Sequence, residues 1–351
     1  MSLVSELNNI ADELVECHTN LKNNLIAKGV ECSDTDKMSS LIDKVDKLDY
    51  IEGLKNYPSW YINKTISNIT NSSSNSHISC ENMPTVRYCL TASSVMDKIY
   101  YIGGFTGSGS GYLSTNECYD PSTNIWDTKK NANTPKHLHT SSVVGNKIYC
   151  ISGYGSAGTL TTNECYDPST NTWTTKKNIT TGRFRLNSST VGNKIYCLGG
   201  NSNLTTNECY DPSTNTWTTK ASMTTGRHDF ACSSIDNKIY CIGGGSSGSV
   251  NEYYDPSTNT WTTKASLPAP ARSQLAGVNA NGGIYCFGGV NGSNYYTHVH
   301  YYNPTSNTWT AKKSLGVGRY GLAVSAIDNK IYYTSGYGTN NLGNNHACYL
   351  V

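Results

Sequence analysis

The residues best suited to binding chemistry in this 351-residue chain are six cations at one repeated position. Each lies 12 residues before the isoleucine of an Ile-Tyr pair. They are Arg87, Lys136, Arg183, Arg227, Arg272 and Arg319. The chain has six arginines, and the sixth, Arg185, lies two residues after one of these positions. Because a guanidinium is a planar five-donor fork that lysine does not reproduce, the pattern predicts contacts with carboxylate or phosphate groups.

A ring-bearing side chain follows the cation in five of the six copies. These residues are Tyr88, His137, Phe184, His228 and Tyr320, and Ser273 takes the remaining place. Cations and rings together predict a face that binds a carboxylated or phosphorylated ligand, or sugars stacked on the rings. A structural role stays open as the alternative, since the same cations could hydrogen-bond neighbouring parts of the fold.

These positions recur because the chain consists of tandem copies of one motif. Its clearest form is Asn207–Lys220, NECYDPSTNTWTTK, and related copies begin at Asn116, Asn163, Asn251 and Val299. Five tryptophans mark the period at spacings of 47, 44, 44 and 48 residues: Trp126, Trp173, Trp217, Trp261 and Trp309. Each copy has the β-prone runs and turn residues of four short strands. Repeats of this length are typical of propeller blades and too long for leucine-rich or helical-pair solenoids.

The motifs Ile-Tyr-x-x-Gly-Gly, Glu-x-Tyr-Asp-Pro and a Trp six residues after the Asp resemble the kelch repeat. The resemblance covers residues from about 75 to 351 and implies an all-β, six-bladed propeller. Asn75–Met83 aligns with Asn215–Met223, so His77 takes the place of Trp, and we expect this N-terminal strand to complete the sixth blade. In kelch propellers the cation segment lies near the mouth of the central channel, which implies a ligand-facing ring.

The loops that follow the glycine pairs differ most between copies. They are Phe105–Thr115, Tyr154–Thr162, Asn201–Thr206, Gly245–Val250, Val290–His298 and Tyr337–Asn344. Variable loops on a rigid scaffold often carry recognition. Aromatic residues in four of these loops could contribute to it or simply pack onto the blades: Tyr112, Tyr154, Tyr295, Tyr296 and Tyr337.

The first 53 residues have a helical pattern of their own. Apolar residues recur at the a and d spacing of a coiled coil at Leu3, Leu7, Ile10, Leu14, Cys17 and Leu21. A second helix follows, and a polar linker covers residues 54–74. The two helices predict an oligomerising or docking head, with a simple cap on the propeller as the alternative. This segment resembles helical modules of bacteriophage tail proteins from Gram-positive hosts, which implies a tail or baseplate protein as partner and a homo-oligomer in a virion.

The distribution of charge and the positions of the cysteines indicate the class of ligand and the compartment in which the chain folds. Residues 1–53 carry 5 Lys against 11 Asp and Glu, whereas the remainder carries 22 Lys and Arg against 14 Asp and Glu. The basic body indicates an anionic ligand, although its basic ring is too small and scattered for a nucleic-acid groove. Most of the 13 cysteines occupy repeated strand positions, which favours reduced thiols and a cytoplasmic site of folding. We find no signal peptide and no apolar stretch of membrane-spanning length.

Motifs for catalysis, metals or cofactors are not evident. The pairs His137-x-His139 and His298-x-His300 lack a third ligand, and no phosphate loop or nucleophile elbow occurs. The leading prediction is therefore a non-enzymatic phage tail-fibre or baseplate adhesin that recognises a host-surface glycan or another anionic ligand. One alternative is a sialic-acid mutarotase, since six-bladed kelch proteins of that kind hold a sugar carboxylate in a basic mouth. The other is a cytoplasmic protein-interaction scaffold.

Overall fold

The computed structural model describes residues 77–350, apart from 108, 110, 246, 247, 329 and 339–345. The predicted head at 1–53 and linker at 54–74 lie outside these residues, and so does the segment that resembles phage proteins. The contacts define Asn75–Val351 as one compact unit. Its described residues form strands and one short 3-10 turn, Asn201–Asn203, so the all-β prediction is confirmed. No helix in this described part is long and apolar enough to cross a bilayer.

Six antiparallel sheets of four strands each account for most of the unit. The first is β2 (Thr91–Val95), β3 (Lys98–Ile102), β4 (Asn116–Asp120) and β5 (Ile125–Lys129). The second is β6 (Thr140–Val144), β7 (Lys147–Ile151), β10 (Asn163–Asp167) and β11 (Thr172–Thr175), with the hairpin β8 (Tyr154–Gly155) and β9 (Gly158–Thr159). The third is β12 (Asn187–Val191), β13 (Lys194–Leu198), β14 (Asn207–Asp211) and β15 (Thr216–Thr219).

The remaining three sheets repeat this order. The fourth is β16 (Ala231–Ile235), β17 (Lys238–Ile242), β18 (Asn251–Asp255) and β19 (Thr260–Lys264). The fifth is β20 (Ala276–Ala280), β21 (Gly283–Phe287), β24 (Val299–Asn303) and β25 (Thr308–Lys312), with the hairpin β22 (Val290–Asn291) and β23 (Asn294–Tyr295). The sixth is β26 (Ala323–Ile327), β27 (Lys330–Thr334), β28 (His346–Leu350) and β1 (His77–Ser79).

The first strands of the sheets surround a common channel. Neighbouring first strands contact each other in the order β2, β6, β12, β16, β20 and β26, and β26 contacts β2 in turn. The channel between them has a volume of about 370 Å³. The six sheets therefore close into a ring, and each sheet presents only its outermost strand as a free edge.

The repeated tryptophans join neighbouring sheets. The indole N–H of Trp173 donates to the carbonyl of Lys130 at 2.7 Å, and that of Trp217 donates to Lys177 at 2.8 Å. In the sixth sheet His77 has the equivalent contact, with Nε2 3.0 Å from the Ser314 carbonyl oxygen. This contact joins the sixth sheet to the fifth. The pairing of β1 with β28 brings strands from the two ends of the described chain into one sheet.

The glycine pairs position the cation segments. Gly103 has a φ of +67°, and a Cβ there would lie 2.6 Å from the carbonyl oxygen of Lys136 in the next sheet. A residue without a side chain is therefore required for this close approach. The neighbouring Gly104 N–H donates to the same carbonyl at 2.9 Å. The same hydrogen bond recurs in the first five sheets, so each of these holds the cation-bearing segment of the next sheet against the end of its own second strand.

Candidate ligand-binding site

The six repeated cations are buried, which favours the structural role left open by the sequence over a role in binding a ligand. Their exposure is between 0% and 5%: Arg87, Lys136, Arg183, Arg227, Arg272 and Arg319. In the first four sheets each cation pairs with the glutamate of the third strand, as Arg87 Nη1 does with Glu117 at 2.5 Å and Lys136 Nζ with Glu164 at 2.7 Å. A buried cation with a carboxylate and carbonyl partners is a strut within the sheet, because no donor remains directed at solvent.

The fifth and sixth sheets lack the carboxylate. Arg272 donates to Nδ1 of His300 at 2.9 Å, and burial together with Arg272 lowers the pKa of His300 to about 4, so that imidazole is neutral. Arg319 donates to the Ser335 carbonyl at 3.1 Å and lies 5.5 Å from the ring centroid of Tyr333. Burial lowers the pKa of both arginines. These two struts therefore rely on neutral partners.

Two residues beyond each cation, the backbones of the six sheets meet in a closed hydrogen-bonded ring. The N–H of each residue donates to the carbonyl of the preceding one at 2.7–3.1 Å, and the last carbonyl closes onto the first N–H. All six residues have φ between 51° and 61°. We call them the axial ring: Cys89, Leu138, Arg185, Asp229, Gln274 and Gly321. Five of them are non-glycine residues in a left-handed conformation, which the cyclic hydrogen bonding stabilises.

The side chains of the axial ring share no common chemistry. Arg185 is 37% exposed, and its Nε lies 3.4 Å from Oδ2 of Asp229, whose side chain is only 6% exposed. Burial raises the pKa of Asp229 to about 7, whereas Arg185 and a hydrogen bond from Gln274 act in the opposite direction. His228 Nε2 lies 3.9 Å from the same carboxyl oxygen. This sector of the ring therefore combines a cation, a carboxyl group that titrates near neutrality and an amide.

Below the axial ring, the next residue of each sheet forms an apolar collar. Its members are Leu90, His139, Leu186, Phe230, Leu275 and Leu322. The ring and the collar together line a small cavity of about 110 Å³, which we call the vestibule. The hydroxyl-lined channel continues on the other side of the collar, where Ser142 and Ser188 are 2.7 Å apart. The collar thus separates a small polar chamber at the mouth from the long channel.

Half-buried aromatic rings surround much of the mouth. Each of the residues predicted from the sequence precedes an axial-ring residue, and loop aromatics fill the spaces between them. The rings follow one another with centroids 5.1–6.0 Å apart in the order Tyr295, Tyr320, Tyr337, Tyr88, Phe105, His137, Tyr154 and Phe184. We call this set the aromatic arc. Tyr112 packs against it at Phe105 and His137.

Isolated β-bridges between backbones position the residues of the aromatic arc. Tyr88 pairs with Phe105, His137 with Tyr154, and Tyr320 with Tyr337, so the residue after a cation lies beside the residue that follows the Gly-Gly or Ser-Gly pair. The arc stops in the sector of the third to fifth sheets. There His228 bonds Asn203 at 2.9 Å, and Ser273 pairs with Val290. The mouth therefore has an aromatic wall on one side and a polar wall on the other.

The mouth carries little net charge. None of the six variable loops contains Asp, Glu, Lys or Arg. Arg185 faces a carboxyl group, and burial lowers the pKa of His137 and His228, so both imidazoles are neutral at neutral pH. Among the described residues no cluster of three or more His, Cys, Asp or Glu side chains could hold a metal ion. The arrangement suits a polar, uncharged ligand with an apolar face.

Sequence reasoning found part of this site. It identified Tyr88, His137, Phe184, His228 and Tyr320, and the structure brings all but His228 into one arc. It also included Arg185, which lies at the mouth. It missed Asp229 and Gln274, because their positions in the repeat share no residue type. Aligning the six repeats and finding the position with the most varied residue types would have identified Asp229 and Gln274.

Comparisons with known proteins agree with the architecture. The KLHDC2/KLHL20/DRC7 Kelch-repeats domain matches residues 53–245, and the Kelch motif matches residues 226–268 and 271–316. Among solved structures, that of YjhT is similar with a TM-score of 0.66 at 16% sequence identity. The match covers 76% of this chain and 95% of that chain, and at such identity it shows the fold alone. No curated protein sequence matches this chain.

Proposed function

Because this chain belongs to the kelch-repeat family, we propose that its six sheets are the blades of one closed propeller that binds carbohydrate at the axial mouth without catalysis. The ligand is an uncharged sugar residue of a larger glycan. Its ring lies on the aromatic arc, and its polar substituents face Arg185, Asp229 and Gln274.

The observation that carries this proposal is the continuity of the arc. Eight half-buried rings line one side of the mouth with neighbouring centroids 5.1–6.0 Å apart. Stacking on such rings has low entropic cost, because aromatic side chains have few rotatable bonds and these are already packed against each other. An apolar sugar face therefore meets a preorganised surface.

Charge favours a neutral glycan over the anionic ligand expected from composition. The six buried cations are compensated or enclosed, and the partly exposed Arg185 has a carboxyl neighbour at 3.4 Å. An anion at the mouth would meet that carboxyl group as well as the guanidinium.

A host-surface adhesin is the biological role that we propose for this binding activity. The support for it is the sequence of residues 1–53, which resembles phage tail modules and has coiled-coil spacing. An oligomer would present several mouths to a glycan-coated surface, so weak single sites would gain avidity. Its partners would be the glycan and a tail or baseplate protein, and its location the virion.

One observation favours a second candidate, a sugar-converting enzyme. Asp229 is a buried carboxyl group with a pKa raised to about 7 by desolvation, and it lies beside Arg185 and His228. A group of this kind exchanges protons at neutral pH, as general acid–base catalysis requires. Turnover of a bound sugar by the wild-type protein and its loss in Asp229→Asn would establish this candidate instead.

A glycan array tests the binding proposal. We expect the full chain to bind neutral glycans and Tyr88→Ala to weaken binding about fivefold, since an aromatic contact contributes on the order of 1 kcal/mol. Tyr253→Ala is the matched control, because Tyr253 is a half-buried tyrosine of the fourth sheet outside the arc. Absence of glycan binding by the wild type, or equal losses in the two variants, would overturn the proposal.

A further inference from the structure

The vestibule has the chemistry of a subsite with three parts. It is a small cavity of about 110 Å³ at the mouth, lined by the axial ring and the collar. Its rim supplies a donor in Arg185, an acceptor in Asp229 and an amide in Gln274. Its floor is apolar at five of six collar positions, with His139 as the exception.

The polar groups are arranged for a neutral partner. Asp229 is 6% exposed and already faces the Nε of Arg185. No protein acceptor contacts the terminal guanidinium nitrogens of Arg185 among the described residues, and its Cζ lies 6.0 Å from the Phe184 ring centroid at the end of the aromatic arc. A carboxylate in the vestibule would approach the Asp229 carboxyl group, whereas a dipolar group could accept from Arg185 and donate to Asp229 together.

The volume of the vestibule further limits the ligand substituent that can enter it. A protein cavity of about 150 Å³ holds one benzene molecule, so the vestibule, at about 110 Å³, holds a substituent of only a few heavy atoms. The substituent must combine a hydrogen-bond donor, an acceptor and a short apolar end that reaches the collar. An acylamino group, –NH–CO–CH₃, has these features in four heavy atoms. A hydroxyl group has no apolar end and leaves the collar in contact with water.

We propose that the vestibule is a subsite for the N-acyl group of a neutral amino sugar, an assignment that rests on the carbohydrate-binding function proposed above. Arg185 donates to the acyl carbonyl, Asp229 accepts from the amide N–H, and the methyl group packs on Leu186 and Leu275. The sugar ring stacks on the aromatic arc at the same time. The arc supplies general affinity for sugars, and the vestibule selects among them.

Matched pairs of neutral sugars provide the test. Binding by the full chain is measured for glycans ending in N-acetylglucosamine or glucose, and in N-acetylgalactosamine or galactose, which differ only in the substituent. We expect the N-acetyl member to bind at least about tenfold tighter, because the unsubstituted sugar leaves buried polar groups unpaired. Equal binding within both pairs would overturn the vestibule assignment while the binding function stands. Absence of binding to all four would overturn both.

Variants separate the two surfaces. Arg185→Ala and Gln274→Leu should each reduce the preference for the N-acetyl member to about threefold or less. Tyr88→Ala should weaken both members and leave their ratio unchanged. Gln274→Leu serves as a second variant in case Arg185→Ala disturbs the axial ring, and circular dichroism checks the fold of each. A preference that persists in both folded vestibule variants would contradict the assignment.

Discussion

Arg183 and Arg185 are two residues apart in the third repeat, yet they have different environments. The Arg183 side chain is 0% exposed and pairs with Glu208, and equivalent cations recur in all six repeats. The Arg185 side chain is 37% exposed, and the equivalent residues are a cysteine, a leucine, an aspartate, a glutamine and a glycine. The first position maintains the sheet, and the second faces the mouth.

The difference has a geometric cause. Each strut lies within its own sheet, so the six buried cations do not meet and the repeat can retain a cation at this position in every copy. The six axial-ring residues instead surround one vestibule of about 110 Å³. Six identical charged side chains there would repel each other across a few ångströms. In a closed repeat protein, a charged residue close to the axis therefore cannot recur in every copy, and the resulting chemical variety can serve a ligand.

The largest effect should follow from removing a strut. We expect Arg183→Ala to lower the free energy of unfolding by about 3–5 kcal/mol, because it leaves the buried Glu208 carboxylate unpaired. Arg185→Ala should cost less, since the Arg185 side chain is 37% exposed and the Asp229 that it leaves behind, with its pKa raised to about 7, can take up a proton. Urea unfolding of both variants measures the contrast. Similar losses at the two positions would show that the mouth is as structural as the strut.

The axial ring should respond to pH. Asp229 has a pKa near 7 in the folded chain because of burial, compared with about 3.9 in an unfolded chain. A carboxyl group with a raised pKa keeps its proton preferentially in the folded state. It therefore adds stability below about pH 4, and this contribution is lost as the pH rises through about 7.

The matching variant is Asp229→Asn, which cannot titrate. Between pH 4 and pH 8 the wild type should lose stability relative to this variant, by an amount on the order of 3 kcal/mol. Urea unfolding at several pH values provides the measurement. If the free energies of unfolding of the two proteins change in parallel with pH, Asp229 has an ordinary pKa and its carboxyl group is more hydrated than its burial indicates.

The smallest effect concerns the struts that lack a carboxylate. His300→Glu should raise the free energy of unfolding by about 1–2 kcal/mol, because Arg272 would then donate to a charged acceptor as the cations of the first four sheets do. The reciprocal change Glu252→His in the fourth sheet should lower stability, since it gives Arg227 the neutral partner that Arg272 has. Thermal or urea unfolding compares them. A loss in both variants would indicate that each sheet is adapted to its own partner.

Much of the architecture follows from local pattern. The spacing of Trp126 to Trp309 and the strand and turn runs between them predicted an all-β chain of kelch type, which the family match confirms. Repetition also exposed the six cations. Whether these side chains face the sheet interior or the mouth could not be predicted from local pattern. The glutamate that pairs with Arg183 lies 25 residues later and contacts it only when the strands have paired.

The residues that line the mouth could not be predicted in this way, because they come together only when the six sheets close into a ring. Cys89, Arg185, Asp229 and Gln274 have nothing in common as residue types, and no spacing rule relates them to a site. They meet because six left-handed turns bond to one another in a circle, a relation between sheets rather than between neighbouring residues. Local sequence determines which strands form and where they turn, since those preferences act over a few residues. The burial of each side chain, its hydrogen-bond partners and the raised pKa of Asp229 arise only when the six sheets close into a ring. They depend on which groups from distant parts of the sequence displace water around the side chain.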